Sequence, residues 1–321
     1  MQLNLKDAAL FVRVAELGTL SAAARERNEP VSQTSRAIAR MESALGVRLL
    51  HRTTHGLSLT DEGDTFLSHA RRILDIAAEM DSALTGKLAG PSGVVRVAVS
   101  PILAQMVIAP SLPGLYKRYP QLRIDIAADD RPVDLARDGI DIAVRAGVDI
   151  TDTLVARQIS VHSRKLYAAP DYLQQFGTPT TPADLAAHRL ITNSASQSLN
   201  RWPFKNPTSS GSTGRSGGRN RATEFIQVKG HTRADDTAIM LALALEGIGI
   251  ARLNELLVFP LVAKGQLVEV LTDCTADERI PVFAVTLQER HRLPKLRACI
   301  VYWEERFTQL QADHANFNRR Q

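Results

Sequence analysis

The residues with the plainest chemical potential cluster between positions 20 and 60. Six arginines (Arg25, Arg27, Arg36, Arg40, Arg48 and Arg52) stand there against three acids (Glu26, Glu29 and Glu42), with His51 and His55 in addition. Ser32, Gln33, Ser35, Arg36 and Arg40 follow one another closely. Short polar side chains near a helix start reach base edges in a major groove, and Arg grips guanine or phosphate. Arg36 and Arg40 are four apart, so a helix places them on one face. Ala37, Ile38, Met41 and Leu45 fall on the other. His51, Arg52, Thr53 and Thr54 would then meet a DNA backbone or minor groove. Charge alone does not separate this reading from an ordinary helical domain with a solvated basic face.

A second set of residues lies further along. Ser100-Pro101 closes a β-prone run and opens a helical one, and a helix N-terminus with a hydroxyl suits a small anion. Arg145 ends another β-prone run, His162 sits at a predicted crossing between two lobes, and Thr192-Asn193 lies early in the second lobe. Open α/β folds bind ligands at the carboxyl ends of strands, between lobes. Ser100, Pro101, Arg145, His162, Thr192 and Asn193 are therefore the candidate effector-pocket residues. Arg145 as a structural ion-pair partner and His162 as a surface histidine are the plainer readings.

Catalysis and metal binding find less support. There is no Gly-x-Ser-x-Gly elbow, no Walker A loop and no convergent nucleophile or acid–base set, so no catalytic residue is assigned and no enzyme is expected. No Cys-x-x-Cys pair is present, and His51 and His55 are four apart in a predicted hairpin rather than on a helix, so neither metal nor cofactor is expected. The two cysteines, Cys274 and Cys299, are too few for a disulfide framework and fit a reducing compartment. A redox pair is one reading of them. Cys299, beside Ile300 in an apolar helix, reads as buried and inert.

The elements that must position these groups change class along the chain. Leu5, Ala8, Ala9, Val12 and Ala15 are at helical spacing, and Gly18 ends that helix. Ser21 is read as the cap of a second helix over Ala22 to Asn28, and Pro30 or Ser32 opens a third that runs to Leu45. Residues 47–60 read as a hairpin with a His-Gly turn, the wing of a winged helix-turn-helix. Thr60 caps a long helix with acids in its first turn. In it Phe66, Ala70, Ile73, Ala77, Met80 and Leu84 recur at spacings of 4, 3, 4, 3 and 4, an a/d seam. The seam fits either packing within its own domain or a dimerising coiled coil, and the small head favours the second.

Ala89–Gly93 is a linker. After it the pattern predicts strands at Val94–Ser100, Leu122–Ala128 and Ile140–Arg145, with helices over Leu103–Tyr119 and Val133–Arg137 between them. This alternation predicts a parallel sheet. Further strands are read from Lys165–Ala169, Ile226–Lys229, Ile248–Arg252, Leu267–Val270 and Val282–Val285. Helices are read over Pro170–Phe176, Pro182–His188, Asp236–Glu246 and Leu293–Leu310. The division expected is residues 1–60 as an N-terminal all-α winged helix-turn-helix, 61–90 as a linker helix, and 91–310 as two α/β lobes. Lobe I takes about 91–161 and 270–310, and lobe II about 162–269. The Ser/Gly/Arg tract Pro207–Ala222 reads as a solvated loop, or alternatively as a nucleic-acid arm.

Composition bounds the rest. The 321 residues suggest roughly two domains, and 44% hydrophobic with 23% charged residues excludes a disordered or collagen-like chain. The net charge of +5 is weak evidence as a total, because residues 1–90 hold 11 Lys/Arg and 11 Asp/Glu. The basic excess lies locally on the third helix and wing and in 201–233, where seven Lys/Arg face one acid. No signal peptide or membrane span is read, so a cytoplasmic protein without a membrane partner is expected.

One resemblance draws these features together. The residues are Phe11-x-x-Val14-Ala15-Glu16-x-Gly18-x-Leu20-Ser21-x-Ala23-Ala24, then Ser35-x-x-Ile38-x-x-Met41-Glu42-x-x-Leu45-Gly46-Val47-x-Leu49-Leu50-x-Arg52-Thr53-Thr54, then Leu57-x-Leu59-Thr60-x-x-Gly63. Over them the chain resembles the N-terminal domain of LysR-type transcriptional regulators. Later segments fit the same family, among them Gly139-Ile140-Asp141-Ile142-Ala143-Val144-Arg145, Pro182-Ala183-Asp184-Leu185-x-x-His188 and Gly247-Ile248-Gly249-Ile250-Ala251. The likeness runs over roughly residues 3–300.

The resemblance implies a winged helix-turn-helix, a dimerising linker helix and a periplasmic-binding-protein-like effector domain of two lobes. It implies a homodimer or homotetramer on double-stranded DNA at an inverted-repeat promoter site. The effector would be a small molecule, with organic anions among the candidates, and RNA polymerase would be a further partner. Position by position, Val31, Ser32, Ser35 and Arg36 become the base-reading stretch, and Arg52, Thr53 and Thr54 the wing contacts. The chain departs from the family pattern at four positions. Arg27 and Glu29 stand where apolar residues are usual, an expected cost to the head's stability. Val31 stands where Gln is frequent, and Asn254 replaces a usual Pro. The rival class is a two-lobed solute binder or enzyme with an accessory helical head. The first would need a secretion signal and the second a catalytic set, and the sequence has neither.

Overall fold

The computed structural model describes residues 4–53, 56–84, 90–146, 154–205 and 223–320. The chain begins with three helices. Helix α1 (Leu5–Leu17) is capped by Asn4, whose side chain accepts the Lys6 amide at 2.9 Å, and it ends on Gly18 at φ 69°. Helix α2 (Leu20–Glu26) is capped by Thr19 and not by Ser21: Thr19 Oγ1 accepts the Ala22 amide at 3.1 Å. The left-handed turn at Gly18 leaves only Thr19 between the helices, so the second begins earlier than its sequence suggests. Helix α3 (Val31–Leu45) starts after Pro30 and stops at Gly46, φ 72°. Its Ala37, Ile38 and Met41 pack into one core with Phe11 and Val14 of α1. Strands β1 (Leu50–Thr53) and β2 (Gly56–Leu59) pair antiparallel, Leu50 opposite Leu59. Arg27 and Glu29 do not enter the core. The chain has left α2 by then, and the two pair with each other at 3.6 Å near the surface.

Helix α4 (Asp61–Leu84) follows at once, with Asp61, Glu62 and Asp64 in its first turn, where the helix dipole favours acids. Its a/d seam divides in two. The Phe66 ring meets the edge of Phe11 at 5.0 Å between centroids, and Ala70 is buried in the same core. Those two positions pack in the head of their own chain. Ile73 and Met80 are exposed, with Ile76 beside them. The Leu84 side chain lies outside the described residues.

Beyond the linker, β3 (Gly93–Val99) leads into a helical run. It begins as α5 (Pro101–Leu103), widens to one π turn over Ala104–Ile108, and continues as α6 (Ala109–Arg118). Pro110 and Pro113 supply no amide and crowd the preceding turn, which accounts for the widening. Strands β4 (Leu122–Ala128), β5 (Ile142–Ala146) and β6 (Leu154–His162) follow. The expected helix over Val133–Arg137 is a turn. Asp134 Oδ1 accepts the amides of Ala136 and Arg137, both at 3.0 Å, and Asp138 Oδ2 accepts that of Asp134 at 3.0 Å. Carboxylates take the amides that a helical ladder would have used.

After Ser163 alone the chain enters a second sheet. Its elements are β7 (Arg164–Ala168), α7 (Pro170–Phe176), β8 (Leu190–Asn193), β9 (Arg201–Lys205), β10 (Thr223–Gln227), β11 (Thr232–Ala234), α8 (Thr237–Leu245), β12 (Ile250–Asn254), α9 (Glu255–Ala263) and β13 (Val268–Val270). Pro182–Ala187 forms a 3-10 helix rather than an α-helix. The Ser/Gly/Arg tract 207–222 between β9 and β10 lies outside the described residues. The chain returns through β14 (Ile280–Leu287) and closes with α10 (Pro294–Asn318), longer than its periodicity suggests.

The expected parallel sheet is mixed in both lobes. Lobe I runs β4-β3-β5-β14-β6, with β3 parallel to β4 and β5 and β14 antiparallel to β5 and β6. Lobe II runs β11-β8-β12-β7-β13 on the same plan, with β8 central to three parallel strands. The chain crosses between lobes twice, and the strand that each crossing enters, β7 in lobe II and β14 in lobe I, runs against the rest of its sheet. Trp303 and Phe307 of α10 lie in the apolar core that spans both lobes.

Cys299 of α10 is fully buried, and burial, with the charge of Asp141 adding, pushes its thiol up to about 12. Cys274 is partly exposed. A thiol reagent near pH 8 is expected to label Cys274 in the native chain and to reach Cys299 only under denaturant, since the thiolate is the reacting form. Counting labelled thiols by mass spectrometry checks it.

Candidate nucleic-acid interface and interlobe cleft

Helix α3 presents Val31, Ser32, Gln33, Arg36 and Arg40 to solvent, with Ser35 half-buried beside them. The opposite face, Thr34, Ala37, Ile38 and Met41, is buried. Ser32, Arg36 and Arg40 form a stripe at four-residue spacing. The Arg36 Nε donates to the Ser32 carbonyl at 3.2 Å, which lays the guanidinium along the first turn. Thr54 and the side chains of Arg52 and Thr53 lie outside the described residues.

What holds the hairpin to this helix is a group that charge counting registers only as an acid. Glu42 Oε1 accepts the amides of Leu49 at 2.8 Å and Leu50 at 3.2 Å, and its carboxylate also pairs with Arg48 at 3.6 Å. The next fastening is Thr60. Its hydroxyl donates to the Arg48 carbonyl at 2.7 Å and accepts the Gly63 amide at 2.9 Å, and its own amide donates to Leu49 O at 3.1 Å. Leu49 is therefore held from α3 and from the start of α4 together. A Cβ at Gly63 would stand 2.0 Å from Leu49 O, so only glycine permits the approach.

Helix α4 in turn docks on lobe I of its own chain. Asp75 pairs with Arg96 of β3 at 3.2 Å and Arg72 with Glu289 at 3.6 Å.

Between the lobes lies a cleft of about 290 Å³. Of the residues singled out from sequence, Ser100, Arg145, His162 and Asn193 line it together. Pro101 does not: it starts the helix behind Ser100. Thr192 does not either. It is buried, with its hydroxyl in the space that a Cβ on Gly230 would need, so its role is packing. Among the described residues Arg145 has no ion-pair partner within the usual distance; its Nη2 donates to the Arg131 carbonyl at 2.9 Å. His162 is no surface histidine. It is 5% exposed, and burial with the nearby Arg164 holds its imidazole down at about 3.

Sequence reasoning missed Asp130, Arg164, Trp202, Arg252 and Asn254, which line the same cleft. A signal existed for Arg252, a charge directly after the apolar run Ile248–Ala251. Arg252 is 6% exposed and pairs with Glu278. Burial pulls the guanidinium pKa values of Arg145, Arg164 and Arg252 down, which marks desolvated cations. The Nε atoms of Arg145 and Arg252 are buried without a hydrogen-bond partner. Burial, then the charge of Asp236, raises the Asp130 carboxyl. Asn254, at the place of a usual Pro, accepts the Leu256 amide at 3.0 Å and caps α9. Among the described residues no group of acids, histidines or cysteines is placed to hold a metal ion. No described helix is long and apolar enough to cross a membrane.

The chain has close counterparts among known proteins. A family model described as LysR substrate binding domain matches residues 88–308. Another, described as bacterial regulatory helix-turn-helix protein, lysR family, matches residues 5–64. The chain is 33% identical over 320 residues to the probable HTH-type transcriptional regulator LtrA of Klebsiella pneumoniae, covering 97% of this chain and 98% of that one. It is 30% identical over 305 residues to the HTH-type transcriptional regulator CrgA of Neisseria meningitidis serogroup C (strain 8013), with 95% and 97% covered. The solved structure of CrgA, a LysR-type transcriptional regulator from Neisseria meningitidis, superposes with a TM-score of 0.62 at 29% identity, over 95% of this chain and 99% of that one.

Two consequences of the geometry are measurable. Gly63→Ala forces Leu49 or α4 to move and is expected to destabilise the chain by about 1–3 kcal/mol, read as a lower urea midpoint. An unchanged midpoint would show that the approach is slack. The second concerns pH. His162 folds neutral, with its pKa far below the ordinary value near 6.5. As pH falls below that value, the unfolded chain takes up a proton that the folded chain refuses. Stability is then lost toward pH 3, at up to about 1.4 kcal/mol per pH unit. His162→Gln is expected to flatten that part of the stability–pH curve.

Proposed function

The chain belongs to the LysR family of DNA-binding transcriptional regulators with a ligand-binding domain, and from that premise we propose how its parts divide the work. Helix α3 enters the major groove. Ser32, Gln33, Ser35 and Arg36 face base edges, Val31 offers an apolar contact, and Arg40 meets phosphate. Arg52, Thr53 and Thr54 on the hairpin grip the backbone beside it. The observation that carries this reading is the exposed Ser32–Arg36–Arg40 stripe on a helix whose other face is sealed in the core.

The effector is a small organic anion held in the interlobe cleft, where Arg145, Arg164, Arg252 and neutral His162 converge. Its arrival changes how the lobes close, and through the Asp75–Arg96 contact how α4 sits on lobe I. A second copy packs on the exposed Ile73–Ile76–Met80 face of α4, with Ala77 within it and Phe66 and Ala70 serving the head. Two heads then address an inverted repeat, and two such dimers form the tetramer. RNA polymerase contact is the output step, and the protein works in the cytoplasm with the chromosome.

A gel shift on the promoter region beside its own gene tests the DNA half. Sequence-specific binding that weakens steeply with salt is expected. Arg36→Ala with Arg52→Ala is expected to weaken it by about 30-fold or more, at about 1–3 kcal/mol for each guanidinium removed, with the melting temperature kept. Undiminished binding by that double variant would overturn the residue assignment.

A further inference from the structure

We propose that the interlobe cleft takes a small dianion that spans it, one acidic group on Arg145 of lobe I and the other on Arg164 and Arg252 of lobe II. This rests on the anionic-effector reading above and sharpens it to a ligand class.

Cationic donors with unused hydrogen-bonding capacity stand on two walls of the cleft. On lobe I, Arg145 stands in β5. Its Nη2 is used by the Arg131 carbonyl, while its Nε is buried with no partner. On lobe II, Arg252 uses Nη2 for Glu278 and likewise leaves a buried Nε unpartnered. On the Arg164 guanidinium only burial and the charges of Arg252 and Glu278 act, with no side-chain hydrogen bond among the described residues. In the β7–β12 pair Asn254 stands opposite Arg164 and Arg252 opposite Leu166. Opposed residues of an antiparallel pair share a face, so Arg164 and Arg252 project from the same side.

The two walls are electrically distinct. The charges acting on Arg145 are Asp130 and Asp129, and those acting on Arg164 are Arg252 and Glu278. A monoanion reaches one wall and leaves the desolvated guanidinium of the other, Arg145 or Arg164, without an ion-pair partner among the described residues, which is costly. A dianion satisfies both, and only when the lobes stand close enough for it to reach. His162, at the end of β6 on lobe I, is neutral, so it offers a hydrogen bond and no further charge. The guanidinium fork matches a carboxylate's two oxygens. A volume of about 290 Å³ is at the small end for ligand sites, which points to a short-chain diacid.

The test uses the full chain, with calorimetric titration and thermal shift against succinate, glutarate, adipate, butyrate and sulfate. At least one dicarboxylate is expected to bind at least tenfold more tightly than butyrate, about 1.4 kcal/mol, and to raise the melting temperature accordingly. Arg145→Gln and Arg164→Gln are each expected to bring that dicarboxylate down to the affinity of butyrate. Arg145→Lys and Arg164→Lys are expected to retain part of the preference, and they stand in if a Gln variant does not fold, as judged by its unliganded melting temperature. Equal binding of butyrate and the dicarboxylates overturns the dianion while leaving the anionic effector in place. Tight sulfate with weak dicarboxylates overturns the spanning arrangement, because sulfate holds both charges on one centre. Dicarboxylate affinity unchanged by either Gln variant overturns the assignment to these arginines. No binding by any of the five overturns this proposal and the anionic-effector reading together.

Discussion

Lobe I is built from two stretches of chain, and a buried carboxylate holds them as one. Asp141 is 1% exposed. It accepts the Arg96 amide of β3 at 2.9 Å and bonds the guanidinium of Arg290, which lies after β14. Burial raises its pKa, and the Arg96 amide, Arg290 and Lys295 work against that shift. A buried charge with its partner removed costs about 3–5 kcal/mol, so the returning segment is fixed to the sheet it rejoins. Everything that lobe I positions depends on that closure.

Strand β3 connects this closure to both functional surfaces. Its carboxyl end delivers Ser100 to the cleft. Three residues before that end, Arg96 turns outward to Asp75 on α4. At the far end of α4, Thr60 and Gly63 fasten the helix to Leu49, and Glu42 fastens Leu49 to α3. The sensor, the rod and the reading helix are thus joined by short polar contacts, beside the apolar packing of Phe66 and Ala70 in the head. Polar contacts are directional and break over short displacements, so they suit junctions whose geometry must be set.

Much of this is legible in the sequence where local rules act alone. The head's helices, the Thr60 cap and the change from helical to α/β pattern follow from periodicity and caps. The exposed face of α3 follows from four-residue spacing. Other parts depend on partners distant in sequence. Strand β6 and strands β8, β9 and β11 escape a sequence reading, because their side chains mix polar and apolar types and are sorted only by the sheets they join. Helix α9, with Pro260 inside an apolar run, carries no amphipathic signal. The Asp134 turn wins over helical propensity through its own carboxylate. In the cleft, position alone singles out His162, whereas Arg164 and Arg252 lie on strands whose pairing brings them together.

The double crossing has a further consequence. Ser163 is the only residue between β6 and β7, and Ile280 of β14 stands opposite His162. Lobe II therefore leaves and re-enters lobe I at neighbouring points, as an insertion whose two ends meet. Such a segment can be exchanged or lost as a cassette without rethreading its host. Lobe II supplies Arg164 and Arg252, while Arg96 and Glu289, which pair with α4, belong to lobe I. A lineage could therefore recombine new ligand chemistry into this wall of the cleft while inheriting the DNA-facing half unaltered.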